Sequence, residues 1–401
     1  MKKFALIFFI FFIDVFAGTL VTFGFLPNKV TYLLVIPFAL VIIYPPKLNW
    51  YYKLAGLFIL YFIFNALHNN LSIIYALKYS KYVVFPVVAY YLADIEGSKQ
   101  DFKDIFYFLI AIAVIQMPFV LVQTFFFYQL APYVAIDILP QDFTTGTFWL
   151  QNDPGLNFFL LSMITYMLFR KPPISQGLRV ILVVYLTMTV FLSNSQLSIL
   201  LTLMVYLAFF LRNIKPVTVI KYSWIILLLG TVVFWAVGDE ILWKAENFYD
   251  RFTNISEGAF KSFLSGGYSR TAALIYFIVE PIKVIGDGVG VYVDLDTNEY
   301  KLGLKGQMFI FYAEIGLIGL LTSFLFCYAT VASIVKKMDI IHWILLFLFV
   351  SFGFTARPFV DLSMVLTINV FVRLDTSFVS IRKPAMYLVR VQQDTLESES
   401  E

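Results

Sequence analysis

GDEILWKAENFYDRFTNISEGAFKSFLSGGYSRTAALIYFIVEPIKVIGDGVGVYVDLDTNEYKLGLKGQMFIFYAEIGLIG, residues 238–319, is the one long stretch of this chain polar enough to need water. It carries Arg251, Arg270, Lys283, Lys301 and Lys305, several carboxylates, and a glycine turn at Gly286, Gly288 and Gly290. Nearly everything on either side is apolar and reads as helix. The contrast predicts an all-α, polytopic membrane helical bundle with one long extramembranous loop late in the chain. Chemistry, if the protein performs any, is expected in that loop against the ends of the flanking helices.

Composition agrees. The 401 residues are 60% hydrophobic and 14% charged, with a mean hydropathy of +0.83, whereas soluble domains hold roughly 25% charged residues. The 45 Phe and 25 Tyr suit a lipid-facing surface with aromatic belts. A lone Cys327 excludes an intramolecular disulfide or a CxxC clip, and two histidines, His68 and His342, exclude a His-rich metal site. Met-Lys-Lys before Phe4–Ile13 resembles a signal peptide. The apolar run continues to Leu26 without an A-x-A cleavage signal, which predicts a retained first span.

A span needs about 20 apolar residues, so about twelve are predicted, near 4–26, 30–44, 51–67, 71–92, 103–128, 153–170, 178–193, 196–212, 218–237, 306–335, 340–356 and 358–374. Cations alternate between the loops. One set holds Lys47 and Lys53, then Lys99 and Lys103, then Arg170, Lys171 and Arg179, then Arg212, Lys215 and Lys221, then Lys336 and Lys337, with Arg382, Lys383 and Arg390 in the tail. The opposite short loops are nearly free of Lys and Arg. The positive-inside rule then predicts both termini in the cytoplasm, with 129–151, 238–305 and 355–358 facing outward. The expected organisation is spans over 1–237, the outward loop over 238–305, spans over 306–374, and a polar cytoplasmic tail over 375–401 ending in ESESE. Residues 269–285 are expected as a helix on the membrane surface. No internal repeat and no matched pair of broken helices is legible, which counts against an inverted-repeat transporter.

Few residues offer chemistry. Arg270, in SGGYSRTAAL, stands where the outward loop returns to apolar sequence, and a guanidinium there binds phosphate through a planar pair of donors or anchors the helix by snorkelling. Arg357, in FGFTARPFVD, is a cation on the cation-poor side; it pairs with Asp361 or faces a polar cavity and holds an anion. Arg251, beside Asp250, reads first as part of a solvated loop helix. Glu314 falls two turns into an apolar helix. An ionised carboxylate at helix centre costs about 2.5–3.5 kcal/mol, so it is expected to face the interior with a partner, Arg270 or Arg357. Gly316 and Gly319 predict close packing of that helix on another. Lys78 and Lys81 are candidates for lining a polar cleft, with Asp14 as a partner. GDGVG at 286–290 lacks the spacing of a dinucleotide site and reads as a flexible reversal. Asn152 and Asp153 read as a helix cap, and His342 as an interface residue.

The order of these features is similar to the O-antigen polymerase (Wzy-type) and O-antigen ligase superfamily. The resemblance rests on a long outward loop with an arginine at its return, a G-x-G turn, and a polar residue opening a helix that continues AEIGLIGLL. NDPGLNFFLL at 152–161 and FLSNSQLSILL at 191–201 resemble helix starts of that family, and the likeness covers roughly 145–375. It implies a GT-C-like membrane glycosyltransferase. Such an enzyme works without metal or cofactor on oligosaccharide carried by undecaprenyl diphosphate, at the outer face of a bacterial cytoplasmic membrane. Arg270 matches the family's loop arginine; with Arg357 and Glu314 it forms the expected catalytic set. Arg251, Lys305, Gln307, Gln196 and Asn152 form the expected substrate-binding set. Gly306-Gln307 stands where the ligases carry His-Asn, which favours polymerase over ligase. Gln196 stands where a second arginine is expected, so Arg357 or Arg251 would have to supply that charge. Asp287 is a second candidate for activating the acceptor, and Trp149, Trp243 and Tyr292 could stack on sugars. Membrane lipids are the expected surroundings; a chain-length regulator is left open as a partner, and nothing points to nucleic acid. A ligase, and a flippase for the same lipid-linked sugar, are the rival readings.

Overall fold

A computed structural model describes residues 2–17, 20–21, 25–27, 36, 39, 46–94, 99–133, 143–148, 153–193, 195–213, 281–295 and 306–380. The elements are α1 (Lys2–Phe11, continued by a π-helical stretch Phe12–Ala17), α2 (Trp50–His68), α3 (Ile73–Tyr79), α4 (Lys81–Ala93), α5 (Lys99–Phe125), α6 (Asp153–Phe169), α7 (Gln176–Leu192), α8 (Gln196–Asn213), α9 (Gln307–Ala332), α10 (Ile340–Gly353) and α11 (Leu362–Ser380). No strand occurs among the described residues.

α6 is the axis. Its sequence, DPGLNFFLLSMITYMLF, offers no polar face, and a helix apolar all round must be covered all round. It is packed against α5, α7, α8, α10 and α11, with Leu156, Phe158, Phe159, Ile164 and Met167 buried. A second layer, α1, α4, α2 and α9, closes around α11. The outer faces are apolar too: Leu200, Leu203, Leu207 and Leu211 form an exposed stripe on α8, and Ile181, Val184 and Met188 form another on α7. Leucines exposed at helical spacing suit contact with lipid, and α2, α5 and α9 are long and apolar enough to cross a membrane.

Helix ends expected on the same side do meet. At one end Arg170, after α6, donates from Nη2 to Asp339 Oδ2 at 2.7 Å and to Asp375 Oδ2 at 2.8 Å, while its Nε donates to Asp375 Oδ1. Arg373 reaches Asp94 at that end. At the other end Thr144 donates to the Ser193 carbonyl, and Gln307 N–H to the Ala356 carbonyl. His342 is a buried third residue of a capping box on α10: its Nδ1 accepts from Asp339 N–H at 3.0 Å. Its Nε2 lies 3.1 Å from Asp375 Oδ2, at hydrogen-bond distance but off hydrogen-bond alignment.

The Asp375 bond is the largest contribution holding the Arg170 guanidinium above its ordinary pKa. Partial burial would raise Asp339, but the bonds from Arg170 and Ile340 N–H outweigh it and hold that carboxyl below 3.8. A carboxylate depressed in the folded state stabilises the fold above its unfolded pKa and loses that contribution as pH falls through the folded value. Asp339→Asn should therefore remove stability at neutral pH and leave a smaller difference from wild type below pH 3.8. Melting temperatures at pH 7 and pH 3 in detergent check this, and an equal deficit at both would contradict it.

Several expectations change. The spans near 30–44 and 218–237 and the returning loop 238–280 lie outside the described residues. The 71–92 span is divided at Ser80 into α3 and α4; the Ser80 hydroxyl donates to the Leu77 carbonyl at 2.6 Å while its backbone stays helical. Residues 281–285 are not helical. α11 continues past 374 to Ser380, because Asp375 is buried against Arg170 instead of opening a solvated tail. His342 is buried and takes part in a helix cap.

Candidate functional site

α9 is broken. Gly316 has φ 70° and ψ −170°, about 14 Å along the helix axis from Gln307 at 1.5 Å per residue. Residues 283–293 run into the break and take over the hydrogen bonds it releases. Leu317 N–H donates to the Lys283 carbonyl at 2.8 Å and Ile318 N–H to Val284 at 3.2 Å. In return Asp287 N–H donates to the Ala313 carbonyl and Gly288 N–H to Glu314, both at 2.9 Å. Irregular backbone is tolerated at membrane depth only when such groups are paired inside protein.

Two side chains from α2 complete the seam. Asn65, wholly buried, donates to the carbonyls of Ile285 at 2.7 Å and Glu314 at 3.2 Å and accepts from Val289 N–H at 3.0 Å. Tyr61 donates to the Ile315 carbonyl at 2.7 Å. The glycines follow from this closeness. A Cβ on Gly286 would meet Glu314 O and Gly316 N at 2.5 Å, and one on Gly316 would meet Val284 O at 2.4 Å. GDGVG is therefore a packed wedge with three residues at positive φ, not a flexible reversal. Gly316 likewise marks a break, not a helix–helix contact.

Glu314 sits at the carboxyl end of the first half-helix, fully buried. Its Oε1 accepts from the backbone N–H of Tyr292 at 2.7 Å and Val293 at 3.0 Å, so its partners are amides of the wedge and not a guanidinium. Tyr79 of α3 is within electrostatic reach of both Glu314 and Arg357. Glu314 Oε2 and the Tyr79 hydroxyl are neighbours, and among the described residues neither makes a well-aligned hydrogen bond. Lys81 Nζ donates to the Leu295 carbonyl at 2.9 Å, which places this cation beside the wedge. On the wedge, Asp287 Oδ2 binds Lys283 Nζ at 2.6 Å and accepts from the Tyr292 hydroxyl at 2.5 Å. That cluster offers hydroxyl, ammonium and carboxylate together.

Gln307 and Arg357 belong to one junction. Gln307 is buried, and its amide oxygen accepts from Phe359 N–H at 2.9 Å, so it fixes the turn that carries Arg357; its Nε2 lacks a partner. Asp361 caps α11, with Oδ1 accepting from Met364 N–H at 3.1 Å and from the Ser363 hydroxyl. Gln196 is exposed at the start of α8. Arg270, Arg251, Lys305 and Asn152, with Trp149 and Trp243, lie outside the described residues, as does the Asp14 side chain. Among the described residues no group of three or more His, Cys, Asp or Glu converges as a metal site.

The structure thus joins Glu314, Tyr79, Lys81, Arg357 and Gln307 around one broken helix. Asn65 and Tyr79 were not anticipated. An asparagine inside the apolar run FILYFIFNALH is a legible signal of an intramembrane polar role; Tyr79 offers none. No protein-family model, curated protein or solved structure matches the chain.

Proposed function

We propose that the chain is a polytopic membrane glycosyltransferase of the O-antigen polymerase kind, joining oligosaccharide units carried on undecaprenyl diphosphate at the outer face of a bacterial cytoplasmic membrane. The observation that carries the reading is Glu314. It is a buried carboxylate held by amides of the wedge, with its second oxygen beside the Tyr79 hydroxyl and a cation within reach of that tyrosine. In the reaction an acceptor hydroxyl loses its proton to a base and its oxygen bonds to the anomeric carbon. The bond from that carbon to the diphosphate oxygen breaks, and undecaprenyl diphosphate departs as an anion. On this reading Glu314 takes the proton. Arg357 and Lys81 supply fixed positive charge for the leaving diphosphate, with Arg270 assigned the same task on the resemblance alone. The distribution of Lys and Arg over the loops puts this end of the bundle outside.

A second reading has an observation in its favour. Broken helices with ion-accepting termini are a device of transporters, and α9 is broken at Gly316. Glycan profiling of a deletion strain separates the possibilities. Loss of a polymerase leaves single lipid-linked units at the outer face, loss of a ligase leaves long lipid-linked polymer, and loss of a flippase leaves single units on the cytoplasmic side. Arg357→Ala restored to that strain should cut polymer by about 10²-fold, the size of effect typical for removing one charge-stabilising donor. Polymer at wild-type level would remove Arg357 from the mechanism.

A further inference from the structure

At the end of the bundle opposite Glu314, a pocket of about 250 Å³ opens between α6, α7 and α8, lined by Arg170, Lys171, Arg179 and Arg212 with Phe169 and Phe209. We propose that it holds the phosphate headgroup of an anionic membrane lipid. The site has no part in the proposed glycosyl transfer, and nothing in that reading requires it.

Among the described residues Lys171, Arg179 and Arg212 form no ion pair, although Asp339 is within electrostatic reach of Arg212. Arg170 is spent on Asp339 and Asp375. Arg179 donates to the Arg170 carbonyl at 3.2 Å, and Arg212 stacks over the Phe169 ring at 5.6 Å. Lys171 is exposed beside them. Arg170 orders the pocket while its neighbours remain available, and like charges so close repel until an anion enters. Arginine donors match a phosphate in pairs.

The lining selects a lipid over free phosphate. Phe169 and Phe209 form one wall, and Arg212 stands one turn beyond an apolar groove between α8 and α10 lined by Leu201, Met204, Val205, Ala208, Trp343 and Phe347. An acyl chain would follow that groove while the headgroup enters. The volume is below the roughly 300–1,000 Å³ of pockets for drug-sized ligands and suits a small phosphodiester. Basic pockets between helices on the cytoplasmic side are where anionic headgroups bind, and the loop cations place this end there.

Native mass spectrometry of the purified full chain in detergent, titrated with dioleoyl phosphatidylglycerol or dioleoyl phosphatidylcholine, tests the assignment. Wild type should bind the anionic lipid at least about tenfold more tightly, and K171Q/R179Q/R212Q should abolish that preference. K53Q/K336Q/K337Q, which removes equal charge elsewhere at that end, should keep it. If the pocket variant does not fold, R212Q alone, altering an exposed side chain, should lose about threefold. Equal loss in the pocket and control variants, or no loss in either, would overturn the site. Displacement of the lipid by millimolar inorganic phosphate as readily as by glycerol phosphate or short-chain phosphatidylglycerol would overturn the lipid assignment.

Discussion

Gly316→Ala is expected to lower stability by at least about 4 kcal/mol and to leave little folded protein at 37 °C. An L-residue in the left-handed region costs about 1–2 kcal/mol before any contact is considered. The added methyl would also lie 2.4 Å from Val284 O, 2.5 Å from Ile285 C and 2.6 Å from Gly286 N, all of them backbone. The wedge can escape only by retreating, which strips Leu317 and Ile318 of their acceptors, and each buried N–H left unpaired costs about 1–3 kcal/mol. Gly286→Ala should behave alike, since its methyl meets the other side of the same seam. Gly56→Ala is the control: a methyl there meets nothing within 4 Å, and in a helix interior the change gains up to about 1 kcal/mol. Size-exclusion melting curves in detergent read all three. A Gly316→Ala protein that melts with Gly56→Ala would mean that α9 is not interrupted.

Glu314→Ala should cost about 2–6 kcal/mol, because the Tyr292 and Val293 N–H groups, now buried against nothing, each cost about 1–3 kcal/mol. Glu314→Gln should behave differently. Its carbonyl oxygen can accept both amides, and only the proton-accepting capacity of the second oxygen is lost. The two variants separate holding the wedge from doing chemistry: Ala removes both, Gln one. A Gln variant as unstable as the Ala variant would place the whole role of Glu314 in the fold.

The contrast between α6 and α9 shows what could be read in advance. The run NFFLLSMITYMLF has no polar face, so its central place follows from composition, and the charges flanking such runs meet at the expected ends through Arg170, Asp339 and Asp375. Interruption of α9 could not be read the same way. AEIGLIGLL looks like any close-packed helix, and its partner glycine lies thirty positions earlier in a segment that looks like a turn. Helix periodicity is a local signal, whereas the φ of Gly316 is set by backbone arriving from residues 283–286. The bonds of Asn65 to Ile285 and Glu314 cross more than 200 residues and leave no periodic trace. Glu314 was legible because a carboxylate in an apolar run must be satisfied. Its partners were not, since backbone amides carry no residue identity.

The proposed transfer requires the buried carboxylate beside the broken helix to accept the proton of the sugar hydroxyl. Its most direct test is the mass profile of lipid-linked glycans in a deletion strain carrying Glu314→Gln at wild-type abundance and melting temperature. Single oligosaccharide units with polymer reduced by about 10²-fold or more are predicted, within the range lost when a positioned general base is removed. Polymer of wild-type length and amount from that folded protein would contradict that requirement.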